Sequence, residues 1–377
     1  MKLHTYNIPT PCYVCDEEAL EANAKKLWMV QERTGCKIIL ALKAFSMYHT
    51  FPILQKYLAG TTASSLNEAR LGYEEFGKEV HIYSPAYLES EIEDLIRYGD
   101  HIIFNSFSQW NKYRDRVKKS KKHLECGIRL NPEYSEVEFK LYDPCAKYSR
   151  FGITAANFKP ELVEGVEGYH FHTLSGSQVP NLERTLRVME EKFGKYFHDV
   201  KWVNFGGGHH ITKPNYDVDQ LCRLIDAFQK KYGVQVIMEP GEAVAIQAGA
   251  LVATVVDILH NEMDIAILDT SATAHMPDVL EMPYRPILLD SFEAGQKPYT
   301  YRLGGMTCLS GDVIGDYSFE EPLQVGQKMV FLDMAQYTMV KNTNFNGIPV
   351  PAIATLTKEK ELKVIKQFDY EHFKGRL

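Results

Sequence analysis

The chain lacks the compositional marks of a membrane or nucleic-acid protein. No segment approaches the ~20 consecutive apolar residues needed to span a bilayer, and the opening stretch MKLHTYNIPTPCYVCDEEAL has no apolar core of the secretory kind. There is no basic surplus: 42 Lys and Arg stand against 49 Asp and Glu, a net charge of −7 spread without long blocks. Binding to nucleic acid or to a membrane surface needs clustered Lys and Arg, so neither is expected, and the one basic run, Lys118 to Lys122, reads as a solvated loop. Seven cysteines, an odd number without regular spacing, do not make a disulfide framework, so a reducing, cytoplasmic setting is expected. Internal repeats and low-complexity linkers are also missing.

What is present is enough apolar residue, 45% of 377, for a large core and two domains of unequal size. Eight strand-like runs alternate with helical periodicity: 37–44, 61–65, 81–85, 101–106, 125–131, 168–174, 201–208 and 234–241. The amphipathic stretches NLERTLRVMEEKFGKYF and VDQLCRLIDAFQKKYG are among the helices between them. Eight such units predict an α/β fold built on a (β/α)8 barrel of the TIM type, and polar residues at the strand ends support it over an open sheet. Lys43, Ser65, Arg129, His172, Gly206 to Gly208 and Glu239 each stand at or just past a strand's C-terminal end, the face where barrel enzymes assemble their sites. After Gly249 the runs are β-rich and joined by turns. The expected division is therefore a barrel over 12–249 and a mostly β domain over 250–377, to which residues 1–11 could be added.

Several residues carry chemistry, and each has a plainer reading beside it. Lys43 in ALKAFS is either a snorkelling lysine at a strand end or an amine whose lowered pKa lets it attack an aldehyde cofactor. Gly206, Gly207 and Gly208 either make a tight turn or let backbone N–H groups approach a phosphate, and their spacing is not that of a dinucleotide fingerprint. His170 and His172 share a strand face, with His209 and His210 nearby; no HExxH or paired Cys/His spacing supports zinc, and an imidazole lying on a planar cofactor suits His172 better. Glu239 in EPGE is a strand cap or the partner of a protonated ring nitrogen. Cys308, beside Asp312 and Asp316 in a glycine-containing loop, is an inert thiol or part of a polar site. The phosphate-loop look of Gly72 to Glu79 and the redox spacing of Cys12 and Cys15 are set aside for want of supporting context.

Together these residues resemble the fold-type III pyridoxal-phosphate decarboxylases, which include ornithine, arginine and diaminopimelate decarboxylases and share a barrel with alanine racemase. The resemblance runs nearly end to end. More closely, ALKAFS, YSPA, DPCAKYSRFGI, WVNFGGGHHIT, EPGEAV, LDTSATAHMPD, TCLSGDVIGDY and YTMVKNTNFNGI resemble the carboxynorspermidine/carboxyspermidine decarboxylases of polyamine biosynthesis. The resemblance implies the cofactor pyridoxal 5'-phosphate and no metal. It assigns covalent attachment to Lys43, ring stacking to His172, the phosphate to Gly206 to Gly208 and Tyr337, and the ring nitrogen to Glu239. Arg129, Ser175 and Gly241 complete the cofactor set. Glu242, His275, Asp278, Asp312 and Asp316 become candidates for a cationic substrate, with Cys308 and Asp312 catalytic. It further implies a head-to-tail homodimer in which the partner subunit brings the Cys308 and Asp312 loop. Two positions depart from pattern: Glu242 stands where amino-acid decarboxylases commonly carry Arg, and Ser175–Gly176 where the nearer family usually has Cys-Glu. The runner-up is decarboxylation of diaminopimelate, ornithine or arginine, with Arg285 as the one candidate for a distal carboxylate. A catalytically silent cofactor- or polyamine-binding regulator is the reading outside the enzymes.

Overall fold

Short runs rich in Ile, Val and Thr become strands, and amphipathic stretches between them become helices, as their two periods require. The chain enters on β1 (Cys12–Asp16) and lays down β2 (Lys37–Ala41), β3 (Gly60–Ala63), β4 (Glu79–Tyr83), β5 (His101–Phe104) and β6 (Glu125–Asn131). The two-residue β7 (Ile153–Thr154), β8 (Gly168–His170), β9 (Trp202–Asn204) and β10 (Gln235–Met238) follow. The computed structural model describes residues 3–377. It divides into two units, one of residues 21–244 and one of the chain through Leu20 together with Ala245–Leu377.

In the first unit, β2, β3, β4, β5, β6, β8, β9 and β10 are parallel neighbours in that order, and β10 pairs back to β2, closing an eight-stranded ring. This is the expected barrel. Every strand except β6 ends earlier than its apolar run, because the residues beyond leave the ladder to shape loops at the barrel mouth. Two helices start on side-chain caps: Ser65 accepts from the Glu68 N–H at α1 (Leu66–Leu71) and Ser106 from the Gln109 N–H at α2 (Phe107–Lys119). The look-alike phosphate loop is the continuation of α1, ending at left-handed Gly77, φ 67°. One unit departs from the repeat, since residues 132–167 between β6 and β8 carry only short 3-10 turns and β7 in place of a helix. Inside the ring, Ile39, Ile103, Trp202 and Ile237 pack together. Trp202 fits because Gly127 and Gly168 face it; a Cβ there would lie 2.4 and 2.1 Å from the indole.

The second unit is a nine-stranded sheet in the order β13 (Phe292–Glu293), β15 (Val313–Phe319), β14 (Tyr299–Gly304), β12 (Met263–Leu268), β11 (Gly249–Asn261), β1, β17 (Ala352–Leu356) and β18 (Leu362–Lys366), with β16 (Lys328–Leu332) also on β11. Here the expected boundary needs correcting. The barrel was expected to begin at residue 12, yet β1 pairs antiparallel with β11, Cys12 opposite Val252, and parallel with β17. Its five residues are all buried, a pattern that an interior strand of either unit would show. Cys12 and Cys15 therefore pack as apolar residues, and all seven cysteines are free thiols. Among the described residues, no helix is long and apolar enough to cross a membrane.

Candidate active site

Strand parity sends alternate side chains into the barrel, and at the C-terminal ends these are polar. Lys43, Thr62, Ser64, Tyr83, Arg129, His170, His172 and Glu239 line one cavity. Lys43 keeps access to solvent through that cavity. Surrounding protein nevertheless strips much of its hydration, which lowers its pKa; Glu239 opposes the shift, and Arg129 adds to it. The amine is thus more available in its neutral, nucleophilic form than a surface lysine's.

Glu239 is buried, and burial alone would raise its pKa. His170, with Nε2 3.6 Å from the carboxylate, and the Asn204 amide outweigh that and hold it below the usual carboxylate range. The opposite pull on His170, whose burial lowers its own pKa, leaves that imidazole neutral at pH 7, so the Asn204 hydrogen bond is the partner that persists. A buried carboxylate without a full countercharge is a site for a cationic group. His172 is also held neutral, chiefly by burial and then by Lys43. Its Nδ1 accepts the Gly207 N–H at 2.9 Å, which fixes the ring's tautomer and orientation. Arg129 donates to the His172 carbonyl at 3.1 Å, and its guanidinium lies 4.6 Å from the Tyr83 and Phe151 ring centroids.

The glycine turn is tighter than its sequence implied. A Cβ on Gly206, Gly207 or Gly208 would come within 2.5, 2.2 and 1.9 Å of the carbonyl oxygens of Phe171, Glu239 and Leu174. Two of its N–H groups have side-chain acceptors, Gly206 on Asn204 Oδ1 and Gly207 on His172 Nδ1. The glycines thus serve first to bring three strand ends together. Ser175 sits beside this turn, where the Ser177 N–H donates to the Gly208 carbonyl at 2.9 Å. Gly241 has a packing role: a Cβ would lie 2.5 Å from that of Ala44, next to Lys43. Glu242 lies 3.1 Å from His210 Nε2. Among the described residues, the groups compact enough for a metal are Glu79, His81, His101 and His123, Glu125, Glu167; neither contains His170, His172, His209 or His210.

The remaining expected residues belong to the sheet unit, and several have other tasks there. Cys308 is exposed on a loop whose backbone donates to Asn346 Oδ1 at 2.7 Å. Asp312, expected to meet substrate, is buried and accepts from Ser271 Oγ, the Ala272 and Thr273 N–H groups, and the Thr307 N–H and hydroxyl. Those donors occupy both oxygens, so in this chain the carboxylate ties the Cys308 loop down. Asp316 is joined to Arg302 by two bonds of 2.8 and 2.9 Å, which hold its carboxyl below the usual range. Asp278 pairs with Lys341. His275 is wholly buried, its Nδ1 3.1 Å from the Thr270 hydroxyl, and burial pushes it down to about 4. Tyr337 stands at φ 51° and ψ −53°, a costly backbone for a non-glycine residue, ahead of the short helix Thr338–Lys341. Sequence reasoning missed Thr62, Ser64, Tyr83, Glu68 and Asn204. The parity that turns Arg129 and His170 inward would also have pointed to Tyr83 and Asn204.

The barrel residues fit pyridoxal phosphate on their own chemistry: a dehydrated lysine for its aldehyde, a neutral imidazole for its ring face and a buried anion for its ring nitrogen, with the glycine turn beside them. Comparison with known proteins agrees. Residues 12–335 match the family model described as pyridoxal-dependent decarboxylase, C-terminal sheet domain. A carboxynorspermidine/carboxyspermidine decarboxylase of Campylobacter jejuni is 45% identical, with 98% of each chain covered. A carboxyaminopropylagmatine decarboxylase of Synechocystis is 44% identical over 98% of this chain and 96% of that one. The crystal structure of a Campylobacter jejuni carboxynorspermidine decarboxylase complexed with norspermidine superposes with a TM-score of 0.91 at 44% identity, covering 98% of this chain and 100% of that one. With fold, site chemistry and full-length similarity in agreement, the chain belongs to the pyridoxal-dependent decarboxylases, in the group of the carboxynorspermidine/carboxyspermidine enzymes.

Proposed function

We propose that this enzyme removes the α-carboxylate of carboxynorspermidine or carboxyspermidine, giving norspermidine or spermidine in the reducing interior of the cell. The observation that carries the substrate class is the similarity to the Campylobacter jejuni enzyme along 98% of both chains. The similarity to the Synechocystis enzyme favours a second reading, a substrate ending in a guanidine, and both classes share a primary amine beside the carboxylate that leaves. Diaminopimelate fits less well. Arg285, the candidate for its distal carboxylate, is paired with Glu293 and lies 4.6 Å from the Tyr317 ring centroid.

Bound pyridoxal phosphate supplies an electron sink for the pair released with carbon dioxide. Around it, Lys43 would hold the group through its aldehyde, and the Glu239 carboxylate would hold a proton at the ring nitrogen. His172, neutral and braced by Gly207 and Arg129, covers one ring face. Cys308 offers the thiol proton that replaces the carboxylate, and its exposed loop meets the barrel of the partner subunit in a two-fold dimer. A competition assay among carboxynorspermidine, carboxyspermidine, carboxyaminopropylagmatine and diaminopimelate tests the reading. One of the first two should have the highest kcat/KM, and a preference for diaminopimelate would end it. Mixing Lys43→Ala with Cys308→Ala chains tests the assembly: hybrid dimers regain one intact site, up to roughly a quarter of full activity with random exchange. No recovery, with exchange demonstrated, would mean that each chain completes its own site.

A further inference from the structure

Glu239 and the Gly206 turn are joined by a side chain that contacts both. Asn204, the last residue of β9, is wholly buried. Its Oδ1 accepts the Gly206 N–H at 2.8 Å, and its Nδ2 donates to Glu239 Oε1 at 2.7 Å. The first bond settles which end of the amide is oxygen, because an NH2 group cannot accept from the Gly206 N–H. The second then aims a donor at the carboxylate. The backbone adds a third link, from the Glu239 N–H to the Gly206 carbonyl at 2.7 Å. Gly206 can make this turn because it adopts φ 69°, and a side chain there would strike Phe171 and His172.

We propose that Asn204 is a positioning residue for the decarboxylation: its amide locks the Glu239 carboxylate and the Gly206–Gly208 turn into one rigid piece. The inference rests on the reading in which Glu239 meets the cofactor's ring nitrogen and the turn its phosphate end. One side chain then sets the distance between the cofactor's two polar anchors. A serine or aspartate could make the turn bond alone, since either offers an oxygen to the N–H two residues on. Asparagine, with one acceptor and one donor on a short side chain, serves both.

The test uses the full-length protein in four forms: wild type, Asn204→Asp, Asn204→Ala and Glu239→Gln. The readouts are pyridoxal phosphate affinity, by absorbance titration of cofactor-free protein, and its dependence on pH. Asn204→Asp keeps the turn bond but sets a carboxylate against Glu239. Its affinity should fall roughly tenfold to a hundredfold at alkaline pH and recover toward acid pH, as the two carboxyl groups share a proton. The wild type should show no such recovery. Asn204→Ala should lose a similar factor without the pH dependence. A folded Asn204→Asp protein with wild-type affinity and pH profile overturns the proposal. So does unfolding of both Asn204 variants, which would assign the network to the barrel's stability; if only Asn204→Ala fails to fold, Asn204→Asp decides. Should Glu239→Gln bind the cofactor as tightly as wild type, the reading of Glu239 itself falls, whereas loss in Glu239→Gln with none in the Asn204 variants removes Asn204 alone.

Discussion

Glu239 of the barrel and the candidate aspartates of the sheet unit are surrounded in opposite ways. In the barrel, Glu239 is buried with one firm hydrogen bond and faces a cavity shared with Lys43, Arg129 and His172. In the sheet unit, Asp312, Asp316 and Asp278 lie in or near motifs at least as suggestive, yet each has partners close by: Asp312 with Ser271 and Thr307, Asp316 with Arg302, Asp278 with Lys341. A carboxylate can act on a ligand only with lone pairs that its neighbours leave open. The number of donors around it, more than the motif it sits in, decides whether it belongs to a site or to the fold.

The contrast can be broken most severely at Lys43. Lys43→Ala should abolish decarboxylation and the near-visible absorption of the purified protein; if either survived, the cofactor would be held elsewhere. Cys308→Ala should leave the absorption intact and lower kcat by about 10²- to 10⁴-fold, the usual worth of a positioned proton donor. Loss of the absorption instead would mean that the sheet unit's loop holds the cofactor as well as serving the chemistry.

Acid titration compares the units as wholes. Burial pushes His101 down to about 2 and His209 to about 3 and lowers His170, whereas among the described residues the sheet unit has one such imidazole, His275 at about 4. Because these folded values lie below the unfolded one near 6.5, the unfolded chain takes up protons that the folded chain refuses. Stability is then full above pH 6.5 and falls below it, by about 1.4 kcal/mol per pH unit for each proton. All three tryptophans, Trp28, Trp110 and Trp202, report on the barrel. Their fluorescence in urea should show the barrel's midpoint dropping steeply between about pH 7 and pH 5. A midpoint that stays level would mean that these imidazoles are protonated in the folded barrel.

Two smaller effects sharpen the sheet side. Asp312→Ala leaves several buried donors without an acceptor and should cost on the order of 3 kcal/mol in urea unfolding, with the cofactor absorption unchanged. Asp316→Asn, which weakens a half-exposed ion pair, should cost less than about 1 kcal/mol and leave KM for the cationic substrate alone. A tenfold rise in that KM would return Asp316 to the binding site.

The barrel was legible because its strands are short apolar runs that end on polar residues, and Lys43, His172 and Glu239, read at those ends, line one cavity. β1 was not, since a strand buried on both faces looks the same in a barrel or a sheet. Asn204 stayed hidden because an asparagine before glycines reads as an ordinary turn former. The network around Asp312 was not legible because its partners Ser271 and Ala272 lie about forty residues earlier, a distance over which spacing says nothing about contact.

The seating of Trp202 between Gly127 and Gly168 ties three distant positions into one unit of inheritance. Neither glycine can gain a methyl group while the indole remains, and the indole cannot shrink without opening a void in the barrel floor. Across diverging relatives, these three positions should therefore change together or stay as they are.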